Sequence, residues 1–137
     1  MARVISKFIM GIIILPALFN ISGCVNNIYS GNGLLVGTIS IGPLCPVVYD
    51  PPRPECLPTA ETYKAYPVGI WSRDGKRKIT EISPALDGSY IVILDAGQYL
   101  VKLDIDNVAG GSNLPVLIEL GTADKFTLNI DIDTGIR

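Results

Sequence analysis

From residue 34 onward, turn-forming residues cut the chain into short runs in which apolar and polar side chains alternate, and this rhythm constrains the fold more than any other feature. Arg73-Asp74-Gly75, Asp87-Gly88, 95–98, 107–113 and 121–124 are the turns. They predict strands over 34–41, 68–72, 76–82, 89–94, 99–106, 114–120 and 125–133. In the fifth run Tyr99, Val101, Leu103 and Ile105 share one parity, opposite Leu100, Lys102, Asp104 and Asp106. In the last, Phe126, Leu128, Ile130 and Ile132 oppose Thr127, Asn129, Asp131 and Asp133. One apolar face at period two marks a half-buried antiparallel strand. Tyr90, Val92 and Leu94 are expected to face inward. Their neighbours Ile91 and Ile93 are apolar too, so that strand is either covered on both faces or carries an exposed patch. Gly37 inside the first run points to a bulge or a close backbone approach. No amphipathic helical period follows residue 24. The fold class is all-β, a sandwich or barrel.

The N-terminus has a different character. Arg3 and Lys7 precede an apolar run over 8–19, about a dozen residues interrupted by Gly11 and Pro16. A span of hydrocarbon takes roughly 20 residues, so the run has the length of a signal-peptide core, with its basic residues before it. The stretch Ile21-Ser22-Gly23-Cys24 then resembles the lipobox of bacterial-type lipoproteins. The resemblance implies that the Cys24 thiol receives a diacylglycerol and that cleavage makes Cys24 the new N-terminus. The alternative is an ordinary cysteine after a conventional cleavage site or an uncleaved anchor. Two acyl chains hold a protein stably where one holds marginally, at about 0.8 kcal/mol per buried methylene. The residue after the cysteine is Val25, not the Asp associated with retention at the inner membrane, which implies the outer membrane where the source has one. Residues 1–23 are thus a signal peptide, 24–32 a polar tether and 33–137 the domain.

Once Arg3 and Lys7 leave with the signal peptide, nine basic residues face 13 acidic ones, a formal charge of −4. That balance argues against nucleic acid as a partner. Export would also place the remaining cysteines, Cys45 and Cys56, in an oxidising compartment as an even pair. Six prolines between 43 and 58 exclude helix and central strand there. A Cys45–Cys56 disulfide would make this a stapled surface loop, stabilising by about 3 kcal/mol in the chain-entropy model. The loop is the most plausible binding feature, although such a staple can serve stability alone.

No catalytic constellation is present. The chain has no histidine, which removes the usual general base and the commonest metal ligand. The pairs Asp104/Asp106 and Asp131/Asp133 would form a Ca²⁺ site only if their strands were neighbours; as solvent-facing polar positions they need no metal. No metal and no cofactor are expected. Arg73, Lys76, Arg77 and Lys78 surround a turn, suited to anionic headgroups or an acidic glycan, or simply an exposed edge. Trp71 with Tyr63 and Tyr66 could form a sugar-stacking platform, but a lone Trp in a sandwich more often belongs to the core.

The hairpin from Asp87-Gly88-Ser89-Tyr90 to Leu94, followed by Ala96-Gly97-Gln98-Tyr99-Leu100-Val101, resembles carboxypeptidase-regulatory-like domains and their transthyretin-like and collagen-adhesin B-type relatives. The opening 37–43 and the closing Asp133-Thr134-Gly135-Ile136-Arg137 fit the same group. This resemblance implies a seven-stranded antiparallel prealbumin-like sandwich used as a spacer, adhesion or carbohydrate-binding module. Within the motif, Gly97 is expected at positive φ, and Tyr99 should bury its ring while its hydroxyl keeps a polar partner. The first strand has no lysine, so the internal isopeptide bond of the B-type repeats is not expected. The expected function is that of a lipid-anchored, non-catalytic binding or structural module at the cell envelope. It would be held to the membrane through Cys24 and face an envelope protein or glycan. The alternative is an accessory subunit of an exported peptidase or secretion complex.

Overall fold

The alternation read from the sequence becomes two facing sheets in a computed structural model that describes residues 31–106 and 110–137. The first strand, β1 (Asn32–Gly42), is the axis of one sheet. It pairs antiparallel with β4 (Ser89–Asp95) along one flank, and parallel with β8 (Lys125–Thr127) and then β9 (Ile130–Asp133) along the other. The short β6 (Gly111–Ser112) extends this sheet beyond β9. The second sheet runs in the order β3 (Lys78–Glu81), β2 (Val68–Ser72), β5 (Gly97–Leu103), β7 (Val116–Leu120).

Inward residues at period two meet between the sheets. Leu35, Ile39, Ile41, Tyr90, Leu94, Ile130 and Ile132 from one face Val68, Ile70, Val101, Ile118 and Leu120 from the other, all nearly inaccessible. Full burial of such a side chain stabilises by about 1.5–3 kcal/mol. Gly37 is required by close approach: a Cβ there would land on the Leu128 carbonyl, against which the Tyr90 hydroxyl also packs. In the Asp87-Gly88 turn, Gly88 adopts φ +85°, a value that L side chains rarely take.

Several expectations change. Among the described residues there are nine strands rather than seven. The predicted last strand divides at Leu128 and Asn129 into β8 and β9, because Leu128 N–H donates to the Val36 carbonyl and the Asn129 side chain accepts from Thr38 N–H. The fifth strand ends at Leu103, leaving Asp104 and Asp106 beyond it. Gly97 opens β5 without a positive φ. A six-residue helix, α1 (Ala60–Ala65), was not anticipated; Thr59 and Thr62 cap it reciprocally, and it is too short to show a helical period. A single 3-10 turn, Pro54–Cys56, also sits within the proline-rich loop, where proline at its first position loses no internal hydrogen bond.

Candidate functional site

The polarity of β1 organises the surface. Asn32 lies opposite Asp95 and Thr38 opposite Ser89, so the chain enters at one pole and reaches the proline-rich loop at the other. Eleven residues at about 3.3 Å each separate the two by roughly 35 Å. At the entry pole Gly31 O accepts from Ala96 N–H, and Asn32 O accepts from Ala123 N–H. The turn 73–77 lies at this pole too, since Ser72 pairs with Tyr99 near the start of β5 while Val68 pairs with Leu103 at its end. Arg73, Lys76 and Arg77 are exposed there. Lys78 is not free: it forms ion pairs with Asp104 and Glu81 at 2.6 and 2.7 Å, hydrogen bonds that raise its pKa.

At the opposite pole, Cys45 and Cys56 are joined by a disulfide. The closed loop packs Leu44 against the core and stacks the Arg53 guanidinium over the Tyr49 ring at 3.8 Å. The pairing of β4 with β1 ends at Ser89 and Thr38, so Ser40 and Ile41 run on with no strand on that flank among the described residues. They form the floor of an open cleft of about 690 Å³. Its walls are Leu57 and Pro58 from the loop, Tyr63 from α1, and Leu86 and Asp87 from the turn before β4. Behind Tyr63 and Leu86 a second cavity of about 360 Å³ reaches Ile82, Pro84 and Lys64.

The cleft suits binding better than reaction. Leu57 and Leu86 expose 48% and 70% of their surface, an apolar rim. The Tyr63 hydroxyl donates to the Leu86 carbonyl at 3.4 Å; burial, with the nearby Asp87 charge, pushes its pKa up and keeps it protonated. The Asp87 carboxylate accepts from Ser89 N–H and Oγ–H at 2.9 and 2.6 Å, which holds it below the usual carboxylate range. Its charge is engaged in a turn, and no nucleophile stands beside it.

Other residues singled out in the sequence separate. Cys24 lies outside the described residues. Trp71 is not a core residue: Val68 and Ile70 point inward, so Gly69 and Trp71 fall on the outer face of the second sheet. There the indole N–H donates to Asp104 at 2.8 Å and Lys102 sits over the ring at 4.1 Å. Tyr63 is buried and Tyr66 packs against the core, so the three aromatics form no common platform. Asp104 and Asp133 are held in separate sheets' surroundings, the latter by Arg137 at 2.8 Å. Among the described residues no cluster of three metal-ligating side chains occurs. Tyr99 behaves as expected, its buried ring ending in a hydroxyl that donates to Asp95 O at 2.7 Å. Among the described residues no helix is long and apolar enough to cross a membrane. The Tyr49–Arg53 stack and the Leu57/Leu86 rim were missed, since nothing in spacing alone marks residues that meet only when a loop closes.

No protein-family model and no curated protein matches the chain. Similar solved structures include a DUF3823 family protein from Parabacteroides merdae, with 14% identity and TM-score 0.45 over 75% of this chain and 46% of that one. The minor pilin of Streptococcus agalactiae gives 12% identity and TM-score 0.49 over 76% and 45%. The major pilin subunit of Bacillus cereus gives 12% and 0.35 over 72% and 28%. The chain thus spans less than half the length of each. At such identities and scores the likeness is one of strand arrangement and carries no argument about function.

Proposed function

We propose that this chain is a lipid-anchored, extracytoplasmic β-sandwich module with a non-catalytic binding or structural role at the cell envelope. The observation that carries the reading is the polarity of β1, with the chain entering at one pole and the stapled loop and cleft at the other. A diacylglycerol on Cys24, seven residues before Gly31, would hold the entry pole against the bilayer. The exposed Arg73, Lys76 and Arg77 at that pole suit anionic headgroups. The cleft would then be displayed about 35 Å further out, where an envelope protein or glycan meets the apolar rim of Leu57 and Leu86. Localisation at the outer membrane, where the source has one, follows from Val25.

Cys24→Ser separates anchoring from folding. The full chain should fractionate with membranes, and Cys24→Ser should appear in the soluble fraction with its Cys45–Cys56 disulfide intact. Unchanged membrane retention of Cys24→Ser would refute the anchor. A glycan array and an envelope-extract screen, each read against Leu57→Asp and Leu86→Asp, test the cleft; binding untouched by both substitutions would refute its role.

A further inference from the structure

The strand β4 lies at the edge of its sheet and is paired on one flank only among the described residues. The direction of its free groups follows from β1. Leu34 N–H donates to Asp124 O and Val36 O accepts from Leu128 N–H, so the even residues of β1 turn toward β8. Its odd residues therefore face β4, where Leu35 pairs with Val92 and Gly37 with Tyr90. That leaves the amides and carbonyls of Ile91 and Ile93 facing outward along the open edge. The same two side chains lie on the outer face, 72% and 65% exposed, beside their cross-strand neighbours Val36 and Leu34.

Other sheet edges carry the usual protection. The edge strand β3 is four residues long and bears Lys78 and Glu81; β6 has two residues; β7 follows Pro115 and turns Glu119 outward. Over seven residues β4 has no lysine, proline or bulge. Unpaired backbone and uncovered apolar side chains belong to the same residues, and only another strand satisfies both at once.

We propose that the occupant is β4 of a second copy, paired antiparallel about a twofold axis at Val92. In that register Ile91 faces Ile93 of the second copy, and each pair exchanges two backbone hydrogen bonds. All four isoleucines fall on one face and cover one another. Asp95, the strand's only charge, lies opposite Ser89 of the copy. The two Asp95 carboxylates stand about 20 Å apart, well beyond the screening length of about 8 Å at physiological ionic strength. Shifting the axis by one residue would oppose outward-facing backbone groups to inward-facing ones, so the parity of the strand selects this register. The contact covers roughly 800–1,000 Å² in total, the low end of specific interfaces. The dimer is therefore weak and concentration-dependent, and a module confined to a surface would favour it.

The test is cysteine cross-linking of the full chain in cells, with Ile91→Cys/Ile93→Cys compared with Leu117→Cys, an equally exposed site on the other sheet. The paired variant should yield a disulfide-linked dimer on non-reducing gels, with 91 joined to 93, and Leu117→Cys should remain monomeric. Absence of the dimer in paired variant that accumulates normally would overturn the proposal, as would equal cross-linking through Leu117→Cys. Sedimentation of the unsubstituted chain provides the second measurement, free of any folding effect of the new cysteines. A monomer–dimer equilibrium that Ile93→Lys shifts to monomer supports the proposal, and a monomer at all concentrations overturns it.

Discussion

The outer faces of the two sheets solve the same problem in opposite ways. On the second sheet the largest side chain, Trp71, is covered by Lys102 and held by Asp104, which Lys78 pairs in turn. On the first sheet Ile91 and Ile93 stand uncovered, with Leu34 beside them. An aromatic can therefore lie outside a core when polar neighbours complete it, while an aliphatic pair left bare marks a surface that remains to be filled.

The largest expected effect tests whether the two faces share one cooperative unit. Leu35 is fully buried between the sheets, and Leu35→Ala should cost about 3–5 kcal/mol. Trp71 fluorescence and far-UV circular dichroism should still lose structure together on denaturation; separate transitions would mean that the faces unfold independently. Next comes Trp71→Ala, which removes partly buried surface and a donor to Asp104. A loss of about 2–3 kcal/mol is expected in chemical denaturation, and a loss indistinguishable from zero would mean that the polar cover contributes nothing.

Tyr90 separates the inner side of β4 from its outer side. Its hydroxyl donates to Leu128 O at 2.6 Å, and burial pushes its pKa up to about 12. Tyr90→Phe should cost about 1 kcal/mol at neutral pH. Because the folded pKa is raised, this tyrosine's contribution is fully present below about pH 10 and is lost as pH rises through 12. Alkaline unfolding followed by circular dichroism should therefore be less steep in Tyr90→Phe over that window. The smallest effect belongs to the bare face: Ile91→Thr and Ile93→Thr should change stability by no more than about 0.5 kcal/mol. A large loss in the monomer would show that this face is structural.

Much of the scaffold was legible because its signals are local. Val68–Ser72 stands as read, and Asp87-Gly88 opens β4 with the glycine at positive φ. Gly37 marks the close approach to Leu128 that its position in a strand suggested. What failed depended on tertiary partners. Trp71 has the same parity whether its face is covered by a sheet or by Lys102, so sequence could not place it. The break between β8 and β9 comes from β1 changing partners, and α1 from a cap with only six residues behind it. At the candidate site, the loop and its staple were visible in the prolines and cysteines. The cleft was not, because Ser40, Leu57, Tyr63 and Leu86 lie far apart in the chain and converge only where β4 leaves β1.

Display outside the cytosol by a lipid is the claim on which this functional reading rests, and intact mass analysis of the chain's N-terminal peptide from cell membranes tests it most directly. The account predicts a peptide beginning at Cys24 and heavier by a diacylglycerol. An unmodified peptide still beginning at Met1 would contradict it.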